Sequence, residues 1–190
     1  MQNKFHKRVF TPASLIASAG AIAKDLPRLP QLLAGETISP SFREKLFLAV
    51  TSVNQCRYCT WMHTDIAAAN GVDDAQIAAL LGDLTKGDFG HEKEALLYAI
   101  HFAESERQPN KEQTTKLIDY YGEETATQIV QYLNLIWFAN LSGNTFDAFL
   151  SRVVGEGVSG GNAAFETAFA AMSAPVLLAI RAIYGKEAQA

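Results

Sequence analysis

The amino-acid sequence predicts an all-α fold built around an antiparallel helical hairpin, and three observations support this prediction. Apolar residues recur at helical spacing in most segments. No segment longer than a few residues alternates with the period of a β-strand and carries hairpin turn residues. Glycine, proline and asparagine separate the helical segments, as expected at helix ends. The 190 residues suit one domain that buries about 70% of its unfolded surface, so residues 1–190 are predicted to form a single helical domain.

The first helix of the hairpin is predicted to begin after Ser39. This serine is a suitable N-cap, and Pro40 then occupies the first helical position, where its missing N–H is not needed. Four apolar residues follow at helical spacing, namely Phe42, Leu46, Val50 and Val53. A break is predicted at residues 52–55, where the chain turns back.

The second helix of the hairpin is predicted from about Cys56 to Ala69. Asn70-Gly71 ends it, because glycine tolerates the left-handed conformation that follows many helices. A short helix with acidic capping residues is predicted next, over residues 73–81. The remaining predicted helices are 91–106, 111–121, 123–141, 145–153 and 162–184.

Two stretches are interpreted as interruptions between helices. Ser142-Gly143-Asn144 is predicted to separate two helices, and GEGVSGG at residues 155–161 is predicted to be a flexible linker. A phosphate-binding loop is the alternative for the second stretch. No strand precedes it, however, and it lacks the lysine that a P-loop requires.

Composition and charge restrict the classes of partner. The net charge is −4 and no dense Lys/Arg block is present, so no nucleic-acid partner is expected. Charged residues make up 19% of the chain, below the roughly 25% typical of soluble domains, which suggests apolar surface hidden between subunits. The N-terminal MQNKFHKRVF lacks the features of a secretory signal, and no apolar run approaches about 18 residues. A cytoplasmic protein without membrane contact is therefore expected.

The two cysteines of the chain stand together, as Cys56 and Cys59. On a helix their Cα atoms would lie about 5 Å apart, within the range where a disulfide closes with little strain. His63 follows Cys59 by four residues, on the same helical face. A position near a helix N-terminus favours thiolate, so a lowered cysteine pKa is expected.

Glu44 is the predicted partner of His63. Folding the hairpin about residue 54 places Glu44 opposite positions 63–65, where its carboxylate would face the imidazole. Carboxylate, imidazole and thiol in that order can relay a proton. Alternatives remain open: Glu44 could complete a capping box with Ser41, and His63 could be a half-buried surface residue.

Other cysteine chemistries fit the spacing less well. Covalent haem attachment needs a histidine directly after the second cysteine, where Thr60 stands. Structural zinc needs four ligands, and His6, His91 and His101 are distant, without paired spacing. A redox dithiol is therefore favoured, with no metal and no bound cofactor. Tyr58, Trp61 and Met62 are predicted to belong to the core or to a pocket wall.

The pattern of Glu44, Cys56, Cys59 and His63 reads E-x(11)-C-x-x-C-x(3)-H. It resembles the signature of the alkylhydroperoxidase D-like branch of the carboxymuconolactone decarboxylase superfamily. The resemblance is strongest over residues 38–80, and YLNLIWFANLSGNTFDAFLSR is similar to the later helices of that family. The chain departs from some members at Tyr58, where they carry a histidine. A phenol cannot replace imidazole as a base near neutral pH, although it could donate a hydrogen bond to a peroxide.

The resemblance implies an all-helical homo-oligomer, a trimer or hexamer, that reduces hydroperoxides. By the same resemblance, Cys59 is the thiolate that attacks the peroxide and Cys56 is the resolving cysteine. His63 accepts the proton of Cys59, and Glu44 orients His63 directly or through a water. A dithiol protein, such as one carrying a lipoyl group, reduces the disulfide. Two alternatives are a redox-sensing oligomer without significant turnover and, ranked lower, a carboxymuconolactone-type decarboxylase, a branch that typically lacks the paired cysteines.

Overall fold

Eight α-helices form the described part of the chain, which comprises residues 5–28, 30, 37–156, 158 and 161–185 of a computed structural model. These residues contain no strand beyond one isolated bridge, between Phe5 and Val158. The all-α prediction is confirmed. The helices are α1 (Pro12–Asp25), α2 (Pro40–Asn54), α3 (Arg57–Ala69), α4 (Asp74–Leu81), α5 (Lys93–Glu104), α6 (Lys111–Tyr121), α7 (Glu123–Val153) and α8 (Ala163–Tyr184).

Helix α2 begins as predicted but extends further. The Ser39 hydroxyl accepts the backbone N–H of Phe42 at 3.1 Å, and Pro40 occupies the first turn. The break predicted at 52–55 is wrong for its first three residues, because Ser52 donates to the carbonyl of Ala49 at 2.8 Å and stays within the helix. Only Gln55 turns the chain, with a left-handed φ of 57°.

Helix α7 is continuous over 31 residues, so the interruption predicted at Ser142-Gly143-Asn144 is wrong. Asn144 is buried and donates a hydrogen bond from Nδ2 to the carbonyl of Asn54 in α2, at 2.7 Å. It thus connects two helices and does not form a turn. Gly143 lies where α7 passes close to Cys56 and Tyr58. Both residues serve packing between helices, which the sequence pattern of a loop cannot reveal.

Other boundaries agree with the sequence to within a few residues. Asp73 caps α4, α6 spans its predicted range, and α8 matches the prediction to within one residue at its start. Helix α5 is shorter than predicted, since a 3₁₀ turn, Gly90–Glu92, precedes it. Helix α1, with a capping box between Thr11 and Ser14, was not among the predicted helices. Residues 157, 159 and 160 of the predicted linker lie outside the described residues.

The core is built around α2 and α7. Helix α2 packs against α3, α4, α5 and α7, while α1, α6 and α8 pack against α7. Leu46, Leu48 and Val50 of α2 are completely buried, as are Ile129 and Leu133 of α7. The helix pair α2–α3, joined at Gln55, therefore rests on the long α7. The antiparallel crossing of α2 and α3 stays a prediction.

Helix α8 differs from the other helices in its exposed apolar surface. By length and composition it could cross a membrane, and 22% of its most apolar window is buried. No segment of this kind was predicted from the sequence. Met172, Val176 and Ile183 are 72%, 64% and 67% exposed. The helix nevertheless packs along α7 and α3, and it forms one wall of the cavity described below.

Candidate redox site

Two free cysteines lie at the junction of α2 and α3. The Sγ atoms of Cys56 and Cys59 are 2.7 Å apart and share a hydrogen bond. A disulfide would place them about 2.05 Å apart, so the pair is close but not bonded. Both residues are buried, with Cys56 0% and Cys59 4% exposed. This separation lets the two sulfurs become covalently joined with little movement.

Local backbone geometry brings the sulfurs together. Cys56 has extended φ and ψ and is the N-cap of α3, and its Sγ accepts the backbone N–H of Cys59 at 3.3 Å. A sulfur thus takes the place of the oxygen that usually caps a helix. The left-handed turn at Gln55 directs Cys56 back over the first turn of α3.

The pKa of the Cys59 thiol is raised well above its ordinary value. Burial is the main cause, because it disfavours the charged thiolate, and the hydrogen bond with Cys56 adds to it. A hydrogen bond from Asn140 acts in the opposite direction. The expectation of a lowered cysteine pKa is therefore wrong for Cys59. Formation of a Cys59 thiolate needs a base.

Glu44 and His63 form a buried pair, as predicted. Oε2 of Glu44 lies 2.7 Å from Nδ1 of His63, and the two residues are 2% and 6% exposed. The contact is direct, with no space for a water between these atoms. Oε1 of Glu44 accepts a hydrogen bond from Nε of Arg43 at 3.0 Å. The capping-box alternative for Glu44 is wrong, since the N-cap of α2 is Ser39.

The ring of His63 is held in a fixed orientation. Phe47 of α2 contacts it edge-on, with ring centroids 4.9 Å apart, while Glu44 fixes Nδ1. Within the described part of the chain, no hydrogen bond joins the imidazole to either sulfur. The structure therefore assembles two pairs, Cys56–Cys59 and Glu44–His63. Cys59 and His63, one member of each pair, lie one helical turn apart on α3, while Glu44 is on α2.

Buried amides surround the dithiol on the side of α7. Asn54 donates from Nδ2 to Oδ1 of Asn140 at 3.2 Å, and Asn140 donates from Nδ2 to Oγ1 of Thr51 at 3.0 Å. Asn140 and Thr51 are completely buried. Because each amide is fixed by a neighbour, Asn140 is held beside Cys59. Asn140 was not among the predicted site residues, although an asparagine within the apolar stretch LIWFANL was a usable signal.

A second polar group centres on Asp147 of α7, which also was not among the predicted site residues. The carboxylate accepts hydrogen bonds from the Tyr58 hydroxyl at 2.8 Å and from Arg57 at 2.5 Å, and Lys7 lies 3.3 Å away. Burial, with the charge of Asp147, raises the pKa of Tyr58 to about 12. The Tyr58 hydroxyl donates its hydrogen bond to Asp147. The suggestion that it donates a hydrogen bond to a peroxide is therefore not supported.

An apolar cavity of about 380 Å³ opens beside Cys59, between α3, α7 and α8. Its volume falls within the range of small-molecule sites, about 300–1,000 Å³. The lining residues are mostly apolar and include Met62, Phe138, Phe169, Met172, Val176 and Leu177. Cys59, and not Cys56, contributes to this lining. The described residues include no group of three or more histidine, cysteine or acidic side chains that could hold a metal ion.

Comparison with known proteins gives one finding. Residues 27–101 match the model of the carboxymuconolactone decarboxylase family. The match contains Glu44, Cys56, Cys59 and His63, while Asn140 and Asp147 lie beyond it. Comparisons with curated proteins and with solved structures give no match. The segment that carries the cysteine pair is therefore similar to the carboxymuconolactone decarboxylase family.

Proposed function

We propose that the chain is a thiol-dependent peroxidase of the alkylhydroperoxidase D-like kind, which reduces hydroperoxides through Cys56 and Cys59. The observation that carries this proposal is the buried pair of free sulfurs, 2.7 Å apart, with Cys59 open to an apolar cavity. His63, one turn further along α3 and bound to Glu44 of α2, adds a base with a fixed orientation. The match of residues 27–101 to the carboxymuconolactone decarboxylase family supports the general assignment without deciding the reaction.

In the proposed reaction, the Cys59 thiolate attacks the terminal oxygen of the hydroperoxide. The O–O bond breaks, Cys59 becomes a sulfenic acid, and the departing alkoxide takes a proton to leave as an alcohol. The Cys56 sulfur then attacks the Cys59 sulfur, and the hydroxyl group leaves as water with the Cys56 proton. The products are one alcohol, one water and a Cys56–Cys59 disulfide.

His63 is proposed to remove the Cys59 proton and to deliver a proton to the alkoxide. A base is needed because burial raises the pKa of the Cys59 thiol. Glu44 would stabilise the imidazolium that forms, through its direct contact with Nδ1. Since no hydrogen bond joins the ring to the sulfur among the described residues, the proton would pass through a bridging water or through the bound peroxide.

The other components of the proposal come from the family resemblance. An external dithiol protein, such as one with a bound lipoyl group, would reduce the disulfide and become oxidised itself. The protein would be cytoplasmic and would assemble as a trimer or hexamer. The exposed apolar residues of α8, among them Met172 and Ile183, support an assembly that covers them.

Stopped-flow consumption of an alkyl hydroperoxide tests the proposal. Cys59→Ser should abolish the reaction, whereas Cys56→Ser should react once and leave a sulfenic acid that a dimedone reagent traps. His63→Asn should slow the peroxide step by about 10²-fold or more. His91→Asn is the matched control, because His91 is exposed and contributes nothing to the site. Equal activity in the Cys56 and Cys59 variants would refute the assigned roles.

A redox-sensing oligomer is the second candidate. Met172 and Val176 of α8 both line the Cys59 cavity and are exposed, so a change at the dithiol could alter contacts between subunits. Mass measurement in the reduced and oxidised states separates the two functions. A redox-dependent subunit number with negligible peroxide turnover favours sensing. Decarboxylation of a lactone that survives loss of both cysteines would instead favour the third alternative.

A further inference from the structure

A second cavity, of about 620 Å³, lies apart from the residues of the dithiol site. It is formed by the N-terminal segment, the first turns of α1, the connection between α5 and α6, and α7. Its lining includes Lys7, Arg8, Ser18, Arg107, Trp137 and Leu141. None of Glu44, Cys56, Cys59 and His63 contributes. The volume suits a small molecule.

The charges around this cavity are unbalanced. Three cationic side chains line it, Lys7, Arg8 and Arg107, against one carboxylate, Glu106. Nζ of Lys7 lies 3.3 Å from Asp147, and Nε of Arg8 lies 3.6 Å from Glu106. The Glu106 side chain is 67% exposed, so its attraction for Arg8 is weakened by solvent. Arg107 makes no ion pair within the described ranges.

Arg107 is anchored firmly despite lacking a carboxylate. Its Nε donates to Oδ1 of Asn134 at 3.0 Å, and its Nη1 donates to Oγ of Ser18 at 2.8 Å. Burial lowers the pKa of this guanidinium, an effect that a bound anion would oppose. The backbone is also unusual, since Glu106 and Arg107 both adopt left-handed φ values, 53° and 68°. Both residues belong to the turn that ends α5, in which the backbone N–H of Arg107 donates to the carbonyl of Phe102 at 2.8 Å.

The remaining walls combine apolar surface with a helix N-terminus. Trp137 and Leu141 of α7 supply the apolar part, and the Arg8 guanidinium lies 6.0 Å from the Trp137 ring centre. Thr11 and Ser14, at the start of α1, also line the cavity, and the hydroxyl of each accepts the backbone N–H of the other. The positive end of the α1 dipole therefore adds to the attraction for an anion.

We propose that this cavity binds a small organic anion, whose carboxylate or phosphate group lies against Arg107 and Arg8 and whose carbon skeleton lies against Trp137 and Leu141. Two nitrogens of Arg107 hold the guanidinium in place, and its third nitrogen, which no described residue binds, is assigned to the ligand. The site is distinct from the dithiol, so binding does not depend on the proposed peroxidase activity.

Isothermal titration calorimetry on the full chain tests this site, with inorganic phosphate and hexanoate as the probes. Hexanoate should bind more tightly than phosphate because it also covers the apolar wall, and both affinities should fall as salt is added. Arg107→Gln should weaken binding by about 10-fold or more, since a charge-assisted hydrogen bond is lost. Lys116→Gln is the matched control, because Lys116 is exposed, pairs with Glu112 and does not line the cavity. Lys116→Gln should bind phosphate and hexanoate with the affinities of the wild type.

Arg107→Gln would also lose binding if it failed to fold. A second variant therefore changes the charge of the cavity in the opposite direction. Glu106→Gln removes the single carboxylate of the lining, while the Arg8 guanidinium stays in place through its hydrogen bonds to Asn54 and to the carbonyls of Ala103 and Glu104. The cavity becomes more positive, so this variant should tighten binding by about 2–5-fold. The proposal is overturned if neither probe binds at millimolar concentration, or if Arg107→Gln and Lys116→Gln bind alike. Binding of phosphate without hexanoate would refute the role of the apolar wall.

Discussion

Gly143→Ala tests the closest contact between α7 and the cysteine pair. Gly143 lies in the interior of α7, and a Cβ added to it would be 2.7 Å from Sγ of Cys56 and 3.1 Å from Cδ2 of Tyr58. Cβ atoms essentially never approach a heavy atom within 3.0 Å. Neither neighbour is free to move, because Cys56 caps α3 and the Tyr58 hydroxyl is bound to Asp147.

The expected change in stability combines two opposing effects. Replacing glycine by alanine within a helix normally stabilises by about 1 kcal/mol, through backbone entropy and helix propensity. Overpacking of a tight core costs about 1–3 kcal/mol. Gly143→Ala should therefore range from neutral to about 2 kcal/mol destabilising.

Gly20→Ala is the matched control, because Gly20 lies within α1 and nothing approaches its added Cβ within 4 Å. It should stabilise by up to about 1 kcal/mol. Urea denaturation of the reduced proteins, at one protein concentration, measures both variants. The free energy of unfolding of Gly143→Ala should be about 1–3 kcal/mol below that of Gly20→Ala. Equal stabilisation by the two substitutions would show that α7 does not pack against the dithiol as described.

Three further predictions concern ionisable groups. Glu44→Gln should keep the fold, because an amide still contacts His63, but should slow peroxide reduction by about 10²-fold; an unchanged rate excludes the carboxylate from the proton relay. Burial raises the pKa of the Cys59 thiol, so the rate of Cys59 alkylation by iodoacetamide in a Cys56→Ser variant should reach half its maximum at a pH above the ordinary value, about 8.5. A midpoint below that pH contradicts the described burial. Asp147→Asn removes a negative charge that helps to raise the pKa of Tyr58 to about 12, so ultraviolet titration should show a tyrosine midpoint moving down towards 10.

Signals within short stretches of the sequence predicted most of the helices. The spacing of residues predicted the pairs Cys56–Cys59 and Glu44–His63. The caps at Ser39 and Asp73 act as predicted, because capping depends on residues within one turn. Spacing alone placed Cys59 beside Cys56 and His63 one turn away. The contact of Glu44 with His63 followed from the predicted fold-back of the chain.

Long-range contacts explain what the sequence did not reveal. Ser142-Gly143-Asn144 has the composition of a loop, yet Gly143 gives room to Cys56 and Asn144 bonds to the backbone of α2. The raised pKa of Cys59 depends on burial by other helices, which outweighs the local effect of the α3 N-terminus. Asp147 is ninety residues from Arg57 in sequence, so their ion pair has no local signature.

Titration of the fully reduced protein with an alkyl hydroperoxide, followed by thiol counting and intact mass measurement, addresses the proposed chemistry most directly. One equivalent of peroxide should consume both thiols of each chain and lower the mass by two hydrogen atoms, because Cys56 and Cys59 become joined within one chain. Retention of both thiols, or disulfides formed only between chains, would contradict a catalytic dithiol.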